Sequence, residues 1–323
     1  MMKLLIQGCG FIGEVHLRTI LENKLCEVSV CEANDQRRRQ IADRYGIETY
    51  PDLTGALRHH FDGAVICTPN HLHYEDAAKC IGKGLNIMLE KPISTSAQTA
   101  RQMMELSRDR GRFIFVAYCL RFAEPYRVIR EYIASGRLGK VFGIRASAAG
   151  KAAITDALTD YRTKRALGGG VISDFSHEID YTLWFAGESA LRAACFHSQA
   201  VHREWDVPDT AEIMISCSGD IVISIHMDYL QPYAGRSIEV YGDEASIRWR
   251  DNEKPILYDS KKGLWTELEA TLDFSKMYRN QMEHYLDCLE NGKIPLIGAE
   301  DGYQIMRIVD KCMDGMKPLV CDV

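Results

Sequence analysis

Leu4-Leu5-Ile6-Gln7-Gly8-Cys9-Gly10-Phe11-Ile12-Gly13 is the stretch on which the fold reading turns. A short apolar run ends in G-x-G-x-x-G. From 11 to 21 the apolar residues Ile12, Val15, Ile20 and Leu21 then fall mostly on one side of a helix. Strand, glycine turn and helix in that order open a dinucleotide-binding βαβ unit. Gly8 allows the tight turn, Gly10 lets the backbone approach a pyrophosphate, and Gly13 lets helix and strand pack closely. The helix N-terminus adds partial positive charge. Gly8, Gly10, Phe11, Ile12 and Gly13 are therefore the first cofactor-binding candidates.

Working outward, 27–31 reads as a second strand, and Glu32 ends it 19 residues after Gly13. That is the spacing of an acid that takes the adenine ribose hydroxyls. A carboxylate repels a 2′-phosphate, so NAD is the expected cofactor. Arg37, Arg38 and Arg39 follow closely and keep NADP open through charge-assisted bonds, although a solvated face of the helix over 35–45 is the plainer reading. Segments 64–67, 86–89 and 113–117 are continuous apolar runs separated by helical patterns, as in a parallel sheet covered on both faces. After about residue 120 the texture changes. A helix over 125–135 leads to an apolar run at 141–148, a polar stretch to Ala166 and three glycines. Alternating patterns follow at 212–217, 221–227 and 237–241, with Gly219-Asp220 as a hairpin turn. The expectation is α/β: an N-terminal Rossmann doubly wound parallel sheet over 1–119, then an α+β substrate-binding and oligomerisation domain over 120–323 on a largely antiparallel open sheet. The last helix is free to return to the first domain.

Bulk properties bound the function. At 323 residues the chain is long enough for roughly two domains of about 150 residues. Its net charge of −6 argues against nucleic acid or an anionic membrane as the main partner. No apolar run reaches the ~18 residues of a membrane span, and the N-terminus reads as a strand rather than a signal peptide. The eleven cysteines are dispersed and form no C-x-x-C pair. They read as reduced thiols of a cytoplasmic protein, with no disulfide framework and no metal site.

Two further segments, Cys67-Thr68-Pro69-Asn70-His71-Leu72-His73 and Met88-Leu89-Glu90-Lys91-Pro92, start at the C-terminal ends of expected strands, where doubly wound sheets bind ligands. With them the chain closely resembles the glucose–fructose oxidoreductase/inositol dehydrogenase/MocA family. Its fingerprint joins a Rossmann glycine motif, a T-P-x-x-x-H segment and an E-K-P tripeptide. The resemblance extends over essentially the whole chain, including Arg121-Phe122, Gly168-Gly169-Gly170 and the aspartate and histidine that follow. It implies cofactor contacts from Thr68, Pro69, Asn70, His73, Glu90 and Lys91, and is compatible with a cis Lys91–Pro92 bond. His71 reads as a surface or capping residue. Desolvation and a cationic nicotinamide both depress a lysine pKa, which suits Lys91 to orienting a substrate hydroxyl.

In Val171-Ile172-Ser173-Asp174-Phe175-Ser176-His177-Glu178-Ile179-Asp180, the residues Ile172, Phe175, Ile179 and Leu183 repeat as one buried helical stripe. Asp174, His177 and Tyr181 share another face. An aspartate beside a histidine makes a competent general base, and the glycines ahead are expected to let a ligand approach the backbone. The resemblance makes Lys91, Asp174 and His177 the catalytic group. Most members space the acid and histidine four apart, whereas here they are three apart, and Ser173 or Glu178 can share the aspartate's work. The D-x-x-H-E-x-D pattern is similar to members associated with bacterial surface-sugar biosynthesis. Arg121, Tyr161 and Arg162 are substrate-binding candidates beside Lys91, Asp174 and His177, although Cys119 stands where many members carry asparagine. The expected activity is hydride transfer between nicotinamide and a secondary alcohol of a sugar, cyclitol or nucleotide sugar, in a homodimer or homotetramer. A non-catalytic NAD-binding regulator and an NAD-recycling redox eliminase or glycosidase are the competing classes.

Overall fold

A computed structural model describes residues 2–150 and 159–314. Two compact units emerge: Met1–Cys119 with Ser275–Met306, and Leu120–Phe274 with Arg307–Val323. In the first, strands β1 (Lys3–Gln7), β2 (Glu27–Cys31), β3 (Thr49–Tyr50), β4 (Gly63–Ile66), β5 (Asn86–Leu89) and β6 (Ile114–Val116) form one sheet in the order β3-β2-β1-β4-β5-β6. Every pairing in it is parallel. Helices α1 (Phe11–Glu22), α2 (Asp35–Tyr45), α3 (Leu53–Ala56), α4 (His73–Gly82) and α5 (Ala97–Asp109) connect the strands. The order reverses between β1 and β4, so the ligand crevice of this doubly wound sheet lies beyond the C-terminal ends of those two strands. Gly8 and Cys67 stand there.

The central strands are buried on both faces: Leu4, Leu5, Ile6, Ala64, Val65 and Ile66 are fully inaccessible to solvent. That is why they read as unbroken apolar runs rather than alternating ones. A segment far along the chain completes this unit. Helix α10 (Phe274–Asn291) carries Tyr285, whose hydroxyl lies 3.0 Å from the Ala64 carbonyl and 2.9 Å from that of Asn86. Gly63 makes room for it, since a Cβ there would sit 2.4 Å from the tyrosine oxygen.

The second unit holds an eight-stranded sheet, order β14-β13-β12-β11-β7-β10-β9-β8. Its strands are β7 (Val141–Ala149), β8 (Ala190–Ser198), β9 (Thr210–Cys217), β10 (Val222–Asp228), β11 (Gly235–Gly242), β12 (Ala245–Arg250), β13 (Ile256–Asp259) and β14 (Leu264–Glu267). Only β7 and β10 run parallel; all other pairings are antiparallel. The expected hairpin at Gly219-Asp220 joins β9 to β10. Strands β13 and β14 were not legible, because every residue in them is half-buried or exposed and no alternation marks them. Odd-numbered residues of β9 and β10 (Ile213, Ile215, Ile223, Ile225) are buried on one face. That face is covered by helices of this unit, which comprise α6 (Glu124–Ala134), α7 (Thr159–Arg162), α8 (Val171–Asp174) and α9 (Ser176–Ala186). Helix α11 (Ala299–Met313) ends the described chain.

The ten cysteines among the described residues are all buried and none is in a disulfide. No helix there is long and apolar enough to cross a membrane.

Candidate functional site

The first part of the site is built on the glycine turn. Gly8 has φ +85°, and a Cβ on it would lie 3.0 Å from Thr68, so both backbone conformation and crowding require glycine. A Cβ on Gly13 would be 2.1 Å from the Gly8 carbonyl oxygen. Gly10 is different: nothing lies within 4 Å of its would-be Cβ, and it caps α1 without any side-chain hydrogen bond. Phe11 beside it is 76% exposed. An open helix N-terminus behind a bare glycine turn, at the switch point of the sheet, is a cradle for an anionic pyrophosphate. The residues therefore fit a dinucleotide.

Glu32 closes one side of this cradle. One carboxylate oxygen accepts from the Cys9 amide at 2.8 Å and the other from the Asn34 amide at 2.9 Å. Of the three arginines behind it Arg39 is exposed, whereas Arg37 and Arg38 are tied into the turn. Arg37 donates to the Cys9 carbonyl (2.8 Å) and pairs with Glu14, while Arg38 donates to the Glu32 carbonyl (3.1 Å) and to Asp35.

The next two motifs are stitched together by their own side chains. Thr68 donates its hydroxyl to Asp76 at 2.9 Å, and Gln7 reaches the same carboxylate at 3.3 Å. Pro69 opens a single 3-10 turn, Asn70–Leu72, that feeds α4. His73, expected beside the cofactor, is instead fully buried. Its Nδ1 lies 3.0 Å from the Pro92 carbonyl and its Nε2 lies 2.9 Å from the Thr68 carbonyl. Burial lowers its pKa against the pull of those two carbonyls. Its role is to tie the threonine turn to the Glu-Lys-Pro turn. Glu90, also expected at the cofactor, bonds inward to the buried His16 of α1 at 2.7 Å and accepts from the Lys91 amide at 3.2 Å. The Lys91–Pro92 peptide bond is cis. Lys91 itself is half-buried, and His71 is exposed.

The second part lies on the helical segment behind the three glycines, and here the single-helix expectation is corrected. The chain breaks at Phe175 (φ −91°, ψ 27°), so Asp174 ends α8 while His177 is the second residue of α9. They are not two positions on one helical face. Nor is there one buried stripe opposite a polar one: His177, Glu178, Ile179, Asp180 and Tyr181 are all buried, while Leu183 is only partly so. Two of the glycines are required by the protein's own packing. A Cβ on Gly169 would lie 2.2 Å from the Tyr161 carbonyl oxygen, and the Gly170 amide donates to the Arg162 carbonyl at 2.8 Å.

That packing brings Arg162 to Asp174, with Nε 3.0 Å from the carboxylate and the guanidinium over the Tyr161 ring at 5.4 Å. Tyr229, directly after β10, donates its hydroxyl to the same aspartate at 3.1 Å. Burial first, and the Asp174 charge second, push the Tyr229 hydroxyl well above its ordinary pKa, so it remains a donor. Of the second-unit candidates, the structure thus gathers Tyr161, Arg162 and Asp174. Arg121 goes elsewhere: its Nε and Nη2 bind the two oxygens of buried Asp180 at 3.0 and 2.6 Å. Glu178, a candidate to share the work of Asp174, is fully buried and paired with Arg236 at 2.8 Å.

Sequence reasoning missed Tyr229, Glu14, His16 and Asp76. Tyr229 had a weak signal as an aromatic with a polar tip at the end of an alternating strand. His16 sits among the apolar residues of the α1 stripe, where a histidine is easily taken as packing.

Comparison with known proteins adds the following. Residues 2–118 match the family model described as an oxidoreductase family with an NAD-binding Rossmann fold. Residues 126–248 match the GFO/IDH/MocA C-terminal domain. A 1,5-anhydro-D-fructose reductase of Ensifer adhaerens is 28% identical, over 75% of this chain and 73% of its own. A D-glucoside 3-dehydrogenase of Escherichia coli K12 is 24% identical, over 95% of this chain and 93% of its own. In overall fold the chain matches an oxidoreductase from Agrobacterium radiobacter solved with NAD+, L-tartaric acid and magnesium. The TM-score is 0.87 at 18% identity, covering 97% of this chain and 95% of that one.

Proposed function

This chain belongs to the glucose–fructose oxidoreductase/inositol dehydrogenase/MocA family of NAD-binding oxidoreductases, and we propose that it moves hydride between nicotinamide and a secondary alcohol of a sugar, cyclitol or nucleotide sugar. The observation that carries the cofactor half is the uncapped N-terminus of α1 behind Gly10, with Glu32 beside it for the ribose hydroxyls. NADP is the less suited cofactor, because Glu32 is an acid and Arg37 and Arg38 are already bound. The names of the Ensifer and Escherichia relatives, which act on an anhydrosugar and a glucoside, support a sugar-like substrate.

In this reading His177 takes the proton of the reacting hydroxyl and Lys91 orients its oxygen. Asp174, with Arg162 and Tyr229 fixing the direction of its carboxylate, stabilises the imidazolium that forms. Tyr161 and Arg162 are the further residues we assign to substrate binding. Nicotinamide, when bound, accepts or returns the hydride; everything else is done by these side chains. Exposed Phe196, Met214 and Val222 lie on the outer face of the second sheet and support assembly into a homodimer or homotetramer. The buried cysteines of the described residues, none of them in a disulfide, suit a reducing cytoplasm.

The test is His177→Ala against a panel of sugars, cyclitols and nucleotide sugars. NAD+ binding should be kept while turnover falls by about 10²–10⁴, the range for losing a general base. Full turnover in the variant sinks the assignment. NAD+ bound by the wild type with no nicotinamide absorbance change on any substrate would instead indicate a regulator. Cofactor that copurifies and is never released reduced would indicate a redox-recycling eliminase.

A further inference from the structure

A polar ring surrounds the glycine turn, and one member of it has no role in the family reading. Glu14 lies in the first turn of α1, close to the end where an anionic pyrophosphate is expected. A bare carboxylate there would oppose a dinucleotide. It is not bare. One oxygen pairs with Arg37 at 2.5 Å, and the other takes Arg44 at 2.9 Å and the Tyr45 hydroxyl at 2.6 Å. Its side chain is only 18% exposed, so this is a built contact rather than a passing surface pair.

The consequence falls on Arg37. Its Nε is fixed to the Cys9 carbonyl, while the amide of that same residue donates to Glu32. The Arg37 guanidinium and the Glu32 carboxylate are therefore both held on the backbone of Cys9. An arginine so close to the ribose 2′ position would be the natural ligand of a 2′-phosphate if it could turn towards it. Glu14 holds it on the other side.

We propose that Glu14 is a positioning residue for cofactor choice: by tethering Arg37 against the glycine turn it withholds the guanidinium from a 2′-phosphate, and so adds to the preference for NAD over NADP that Glu32 sets. The inference rests on the dinucleotide reading of the fingerprint. The adjacent Arg38 does not substitute, because it is bound to the Glu32 carbonyl and to Asp35.

Calorimetric titration with NAD+ and with NADP+ tests this without any substrate. In Glu14→Gln, NADP+ should bind about two- to fivefold tighter relative to NAD+, the size of one released charge contact near the surface. NAD+ affinity should stay within about twofold. The gain must vanish in Glu14→Gln/Arg37→Ala, which a merely structural role for Glu14 does not require. Glu14→Asp keeps the charge but shortens the tether, and should show a smaller shift in the same direction; it serves if Glu14→Gln fails to fold. An unchanged affinity ratio in a folded variant overturns the proposal, as does a gain that survives loss of Arg37. Wild-type protein that binds neither dinucleotide would sink the fingerprint reading itself, and this inference with it.

Discussion

Arg121→Met separates two incompatible uses of one residue. The sequence resemblance assigns Arg121 to the substrate, whereas its guanidinium is bonded through Nε and Nη2 to Asp180, and the two side chains are 6% and 0% exposed. The same guanidinium stacks over Trp184 at 5.5 Å. Methionine preserves much of the aliphatic stem but leaves Asp180 as a buried charge without this partner. Breaking such a pair from one side costs about 3–5 kcal/mol. At roughly 2–4 °C per kcal/mol for a unit of this size, the second unit should melt about 6–20 °C earlier. Removing both charges in Arg121→Met/Asp180→Leu should recover most of that loss, because a buried pair replaced by apolar side chains is often close to neutral. Differential scanning calorimetry reads both variants, and NAD+ titration shows whether the first unit is intact. If Arg121→Met melts with the wild type while KM for substrate rises steeply, the arginine serves the ligand and the structural account of the pair is refuted.

The other expectations are more local. Gly13→Ala places a Cβ 2.1 Å from the Gly8 carbonyl oxygen, so the turn must deform; NAD+ affinity should fall by more than about tenfold, measured by titration. Tyr229→Phe removes a hydrogen bond to the Asp174 carboxylate, a contact of about 1.5–3 kcal/mol when one partner is charged. Turnover should therefore drop by roughly tenfold or more while NAD+ affinity is unchanged. Glu48 should contribute to the loss of stability in acid. Its bond from Lys3 first, then the neighbouring Tyr50 hydroxyl and a weaker bond from Ser29, bring its pKa down to about 2. A depressed carboxyl stabilises the fold above its ordinary pKa, and that contribution is lost as pH falls through the folded value. Glu48→Gln should accordingly flatten the decline in stability between about pH 4.5 and pH 2 in urea titrations. A decline as steep as that of the wild type would assign acid sensitivity to other groups.

The parts of this molecule that could be read from sequence are those governed by local rules. The strands of the first sheet are apolar on both faces, and the glycines of the turn answer to steric limits that act within a few residues. Strand β3 escaped because two residues carry no period, and β13 and β14 because neither presents a buried face. A return of the C-terminal helical chain to the first unit was open from the sequence, but not the contact that α10 makes there. Tyr285 meets Ala64 across 221 residues of chain, and nothing near Gly63 in sequence announces it. Functional side chains follow the same division. Gly8, Gly10, Gly13 and Glu32 are set by the turn itself, whereas His73 and Glu90 have their polar atoms taken by partners that only the fold supplies.

The three-residue spacing of Asp174 and His177 shows why a motif distance can mislead. On one continuous helix, three against four residues would measure how far two side chains diverge around the axis. The break at Phe175 removes that axis, and the spacing then says little about their mutual orientation. The carboxylates are instead aimed by arginines from other elements: Asp174 by Arg162, Glu178 by Arg236 and Asp180 by Arg121. Each pair draws one acid in its own direction, and Tyr229 adds a second constraint on Asp174 alone. A shortened motif can in this way keep its acid in a fixed place without the helix that usually holds it. The orientation of Asp174 should accordingly depend more on Arg162 and Tyr229 than on the residues between it and His177.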